Sequence, residues 1–158
     1  MLKISFLVLL AAATTCFAGT PEAAFESLVD AIYAGDAQEF STFLSAESAG
    51  MVSMILMMLK ADPEQAAADI SAELGVEVTA EEISGWSSAD LLAMVLSAPG
   101  FIAEFPPRES IHVSGSTVNG DSCLVSFTVD GIEGNMDLPM VMQNGSWKLD
   151  QSVIQAEL

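Results

Sequence analysis

The side chains able to do chemistry are sparse in this chain, and no motif ties them together. His112 is the single histidine, so no second imidazole is available to complete a metal cluster. The alternation Ile111-His112-Val113-Ser114-Gly115-Ser116 sets it, with Ser114 and Ser116, on the strand face opposite the apolar residues. Cys123 shares a face with Val125, Phe127 and Val129, where it acts as a small buried hydrophobe with nothing nearby in sequence to activate the thiol. The acids of Asn119-Gly120-Asp121 and Asp130–Asn135 are turn chemistry, because the alternating ligands and distal Glu of a calcium loop are missing. No catalytic residue, metal or cofactor is therefore expected.

Methionine is the abundant soft side chain. Met51, Met54, Met57 and Met58 fall in one helical stretch, and Met136, Met140 and Met142 alternate along one strand face. Such residues fill irregular space and adapt to varied apolar partners. They suit a methionine-rich core, or a deformable cavity lined by Tyr33, Met54, Met58, Met136 and Met140. That cavity, or a dimer face, would accept an apolar small molecule or a protein partner. A methionine copper site is a further reading, although the spacing repeats no motif.

Two kinds of element must position these residues. Over 20–105 the pattern is helical. Thr20-Pro21-Glu22 is a helix start, and Phe25, Leu28, Val29 and Ile32 follow at i, i+3, i+4 and i+7 until Gly35 stops the run. Asp36-Ala37-Gln38-Glu39 and Thr79-Ala80-Glu81-Glu82 have capping-box spacing, Asp62-Pro63-Glu64 opens a helix ending before Gly75, and Ser88-Ala89-Asp90 opens another. Met51–Leu59 is apolar all round and is expected to be buried from several directions. Over 110–154 the period falls to two: Ser110–Val118, Ser122–Val129, a run from Ile132 to Gln143, and a last strand around Trp147 and Leu149, extending toward Val153. Asp130-Gly131 and Asn144-Gly145 are hairpin signals, and Pro139 puts its strand at an edge or breaks it locally. Helices followed by a meander with one apolar face predict an α+β fold, helices on one face of a curved antiparallel sheet of about four strands.

The N-terminus carries its own signal. Lys3, the apolar run Ile4–Ala13 and the small residues ending at Ala18 form a secretory signal peptide over 1–18, with cleavage before Gly19. The run is about half of the ~20 residues a spanning helix needs, so no transmembrane segment is expected. The protein is read as exported, periplasmic or extracellular. The alternative is a lipid anchor on Cys16, although Ala13-Thr14-Thr15 fits that processing poorly. Residues 19–158 then make a single domain in which Cys123 has no intramolecular partner. Three cations, Lys60, Arg108 and Lys148, face all 22 acids, a balance that repels phosphate backbones and excludes nucleic acid.

The stretch Ala34-Gly35-Asp36 with Phe40 and Leu44-Ser45, and the close Leu138–Asp150, resemble the first helix and terminal hairpin of nuclear transport factor 2-like domains, particularly small exported bacterial proteins and lipoproteins. The segment from about Ala46 to Phe105 is longer and more helical than is usual there. The resemblance implies a cone in which helices and a curved sheet enclose an apolar cavity, with dimers often formed through the outer sheet face. Isomerases of that superfamily pair a carboxylate with a tyrosine or protonated acid. It therefore implies, as an alternative, a small isomerase or dehydratase using Tyr33 and a buried carboxylate, Asp36 or Asp137. The leading expectation is a non-enzymatic binding or interaction domain. Mass spectrometry of the exported protein is expected to find Gly19 at the N-terminus, and a diacylglyceryl group on Cys16 would overturn that reading.

Overall fold

The computed structural model describes residues 19–150 other than Glu104, so the expected signal peptide and the expected extension toward Val153 lie outside the described residues. The α+β order is as expected. Helices α1 (Pro21–Ala34), α2 (Ala37–Thr42), α3 (Ala46–Ala61), α4 (Pro63–Leu74), α5 (Ala80–Gly85), α6 (Ser88–Ser97) and α7 (Pro99–Ala103) precede strands β1 (Ile111–Asn119), β2 (Ser122–Val129), β3 (Met136–Gln143) and β4 (Ser146–Leu149). The strands form a curved, unclosed antiparallel meander in the order β1-β2-β3-β4.

The helix boundaries follow from their caps. Thr20 accepts from the Ala23 N–H at 3.2 Å, Pro21 needs no donor at the first turn, and Gly35 ends α1 in the left-handed region at φ 65°. Thr79 and Glu82 close a complete capping box, and Ser87 and Asp90 close a second. At α2 the Asp36 carboxylate accepts from the Glu39 N–H at 2.9 Å.

The apolar stripe of α1 lies across the inner sheet face. Phe25 and Val29 pack with Cys123, Val125, Met140 and Trp147, all buried, and the Phe25 and Phe127 rings stack with centroids 4.9 Å apart. The later helices build their own interior, Val52, Leu56 and Leu91 in one cluster and Ala66, Ile70 and Ile83 in another.

Several expectations need correction. Helix α3 is not buried on all sides: Ser48, Val52 and Leu56 face inward, whereas Met54, Met57 and Met58 are 49%, 69% and 61% exposed. Its neighbours α4, α5 and α6 cover one side, and the opposite side meets solvent. Strand β3 begins at Met136 rather than Ile132, because residues 130–135 form a loop in which Gly131 and Gly134 take positive φ. Pro139 sits inside the sheet, opposite Leu124. Its carbonyl accepts from Asp150 rather than from β2, so its missing N–H also faces the β4 side, just past the last β3–β4 pair, Met140 and Leu149. Finally, a bulge between Val113 and Gly115 shifts the register of β1, so Ser116 turns inward opposite Val125 while His112 stays outward. Ser116 Oγ donates to Glu22 Oε1 at 2.6 Å, and this bond holds the Glu22 carboxyl below its ordinary range.

Burial separates two methionines that look alike in sequence. Met140→Ala is expected to cost about 2–5 kcal/mol of unfolding free energy. Met57→Ala should change it by no more than about 0.5 kcal/mol. Urea denaturation of both variants checks the contrast, and similar losses would contradict the assignment of core and surface.

Candidate functional site

Between the C-terminal half of α1 and the β1–β2–β3 face lies a cavity of about 260 Å³. Leu28, Val29, Ile32 and Tyr33 of α1 form one wall, and Ile111, Phe127, Val129, Met136 and Leu138 of the sheet form the other. Phe105 and Pro106, from the segment entering β1, and Ile132, from the loop before β3, complete the lining. These three follow from tertiary placement. Phe105 and Ile132 are exposed in part, at 37% and 54%, as side chains at a mouth would be.

Tyr33 carries the one hydroxyl among the lining side chains, and it donates to the Pro106 carbonyl. Its ring meets Phe105 edge-on at 6.4 Å, and Phe105 in turn packs on Phe101 at 4.9 Å. Tyr33 thus fastens the Pro106 segment over the end of α1. Burial, with Glu109 adding and Arg108 opposing, pushes its phenol above the ordinary tyrosine value. Arg108 is itself held by Asp30, with Nε to Oδ1 at 2.6 Å.

Of the five residues expected to share a cavity, Tyr33 and Met136 do. Met140 is 1% exposed in the core between α1 and the sheet, and Met54 and Met58 stand on the open side of α3. The reason is the one-sided packing of α3, which turns its methionines away from the sheet. Neither carboxylate named for proton transfer lines the cavity. Asp36 caps α2, and Asp137 accepts from Ser126 Oγ at 2.5 Å on the opposite sheet face. Cys123 is buried, which pushes its thiol up, and the exposed His112 faces Asp130 at 3.3 Å. Among the described residues no three His, Cys, Asp or Glu side chains gather as metal ligands. No described helix is long and apolar enough to cross a membrane. The outer sheet face, the expected dimer surface, exposes Leu124 beside the polar Thr117, Ser126 and Asp137.

The Tyr33 environment is open to measurement. A folded pKa above the unfolded one means a stabilisation complete below the unfolded tyrosine pKa and lost as pH rises through the folded value. Because Tyr33 is the single tyrosine, absorbance at alkaline pH reads it alone. In a Cys123→Ala background, which removes the second upshifted group, the midpoint should lie higher in the folded protein than in urea. Tyr33→Phe should also flatten the alkaline loss of stability; equal midpoints would refute the burial argument.

Comparison of the chain with protein-family models, with curated proteins and with solved structures returns no match.

Proposed function

We propose that this chain is an exported binding domain whose cavity between α1 and the sheet takes up a small apolar molecule. The observation that carries the reading is the lining, which among the described residues is apolar apart from a tyrosine hydroxyl already given to the Pro106 carbonyl. A cavity of that character presents few partners to water and rewards any ligand that replaces it with hydrocarbon contacts. At about 260 Å³ it falls just below the ~300–1,000 Å³ of drug-sized sites, so a single ring or short chain is the fitting size. The resemblance to nuclear transport factor 2-like cones supports the same location. The isomerase reading needs a second group beside Tyr33, and among the described residues no carboxylate lines the cavity.

Charge narrows the ligand further. With 22 acids against four cations in the sequence, the chain repels anions, so neutral apolar molecules are preferred over anionic amphiphiles. The test uses the neutral fluorophore N-phenyl-1-naphthylamine and a panel of neutral apolar compounds. Binding is expected to raise emission and to stabilise the fold by about 2.7 kcal/mol at a hundred times Kd. Leu138→Trp fills the cavity and should abolish both effects while the circular dichroism spectrum is kept. Binding that survives this substitution, or no binding across the panel, would defeat the proposal.

A further inference from the structure

The exposed side of α3 presents three thioethers to solvent at positions i, i+3 and i+4: Met54, Met57 and Met58. This spacing places the Cβ atoms of Met57 and Met58 about 5–6 Å from that of Met54, on one helical surface. The surroundings leave them open. Gly50 and Ser53, on the same exposed side, add little bulk, and an added Cβ at Gly50 would meet nothing within 4 Å. The residue types are also partitioned along the helix. Val52 and Leu56 are buried, Ile55 and Leu59 are half-buried against the neighbouring helices, and Met51 is half-buried, whereas the large apolar positions of α3 that are exposed are all methionine. Leucine would form the helix equally well, so helix propensity does not account for the choice.

What methionine offers there that leucine does not is a soft, polarisable sulfur on three rotatable bonds. Thioethers select Cu(I) over the hard divalent cations that prefer carboxylates. We propose that Met54, Met57 and Met58 form a three-thioether site for a soft monovalent cation, Cu(I), with Ag(I) as its redox-inert counterpart. Binding is ligand exchange: three sulfur lone pairs replace the solvent or chelator ligands that the ion carried, these ligands are released, and no electron moves. The acidic surface draws cations toward the protein without distinguishing them, and the sulfurs supply the preference. Cys123, the one described cysteine, is 3% exposed and its thiol is pushed toward the protonated form, so it does not compete at α3. The site is independent of the cavity, whose lining includes none of these methionines.

The purified protein is titrated with Cu(I) under anaerobic conditions in competition with a chromophoric Cu(I) chelator. One equivalent is expected to be retained, and Cys123→Ala should leave that unchanged. The variant Met54→Leu/Met57→Leu/Met58→Leu should lose affinity by at least the ~10–100-fold that even outer partners of metal ligands cost. These substitutions lie on the surface, and an unchanged circular dichroism spectrum shows that the fold persists. With methyl-labelled methionine, Ag(I) should shift the ε-methyl signals of Met54, Met57 and Met58 and leave that of Met140 in place. No retention of Cu(I), equal affinity in the triple leucine variant, or shifts centred on Met140 would each overturn the site.

Discussion

Burial of the α1 stripe against the inner face of the sheet is the interaction on which the other features rest. Phe25, Leu28 and Val29 are each less than a tenth exposed, and full burial of such side chains is worth roughly 1.5–3 kcal/mol apiece. The same contact fixes both the core and the cavity. Toward its N-terminal end α1 meets Cys123, Val125, Met140 and Trp147, all buried; toward Ile32 and Tyr33 a cavity remains between helix and sheet. Tyr33 then closes one side by binding the Pro106 carbonyl, so a polar group anchors an otherwise apolar chamber.

A second seam joins the helices to the last strand. The Leu149 N–H donates to the Phe43 carbonyl at 2.6 Å, making a short parallel bridge between Leu44 and Leu149. Around it, the Lys148 ammonium donates to the Thr42 carbonyl, and Gln143 accepts from the Ala46 N–H at 2.9 Å while donating to Glu47 at 2.7 Å. Buried Ser45 and Ser48 satisfy each other at 2.9 Å, and Ser48 reaches the Leu149 carbonyl. This arrangement orients α3 by its N-terminus and leaves its far side, with the methionines, facing outward.

The acids have a similar logic. Asp36, Asp62, Glu82 and Asp90 serve at helix starts, where a carboxylate meets free N–H groups and the positive end of the helix dipole. Asp30 and Asp130 pair with Arg108 and His112. Carboxylates so used stay at the surface, and none of the described residues lining the cavity is charged.

Local chemistry made much of this legible from sequence. Caps, stops and the Asn144-Gly145 turn act over a few residues, so the α1 boundaries, the α4 start at Asp62 and the change from helical to strand period could be read directly. Tyr33 and Met136 could be named for the cavity because each adjoins an apolar stripe. The rest needed tertiary structure. Whether a methionine on α3 faces a neighbour or water depends on which elements pack beside it, and its hydrophobicity is the same in either case. The β1 bulge reverses the facing of Ser116 without any change in the alternating pattern, because a one-residue shift is invisible until strands pair. Phe105, Pro106 and Ile132 belong to no periodic element, and only the meeting of α1 with the sheet makes them walls of one chamber. Sequence alone determined the elements, their order and the acidic, apolar-cored character of the chain, since these depend on neighbours along the backbone. The cavity, its uncharged lining and the exposed thioethers were decided by contacts between residues far apart in the chain.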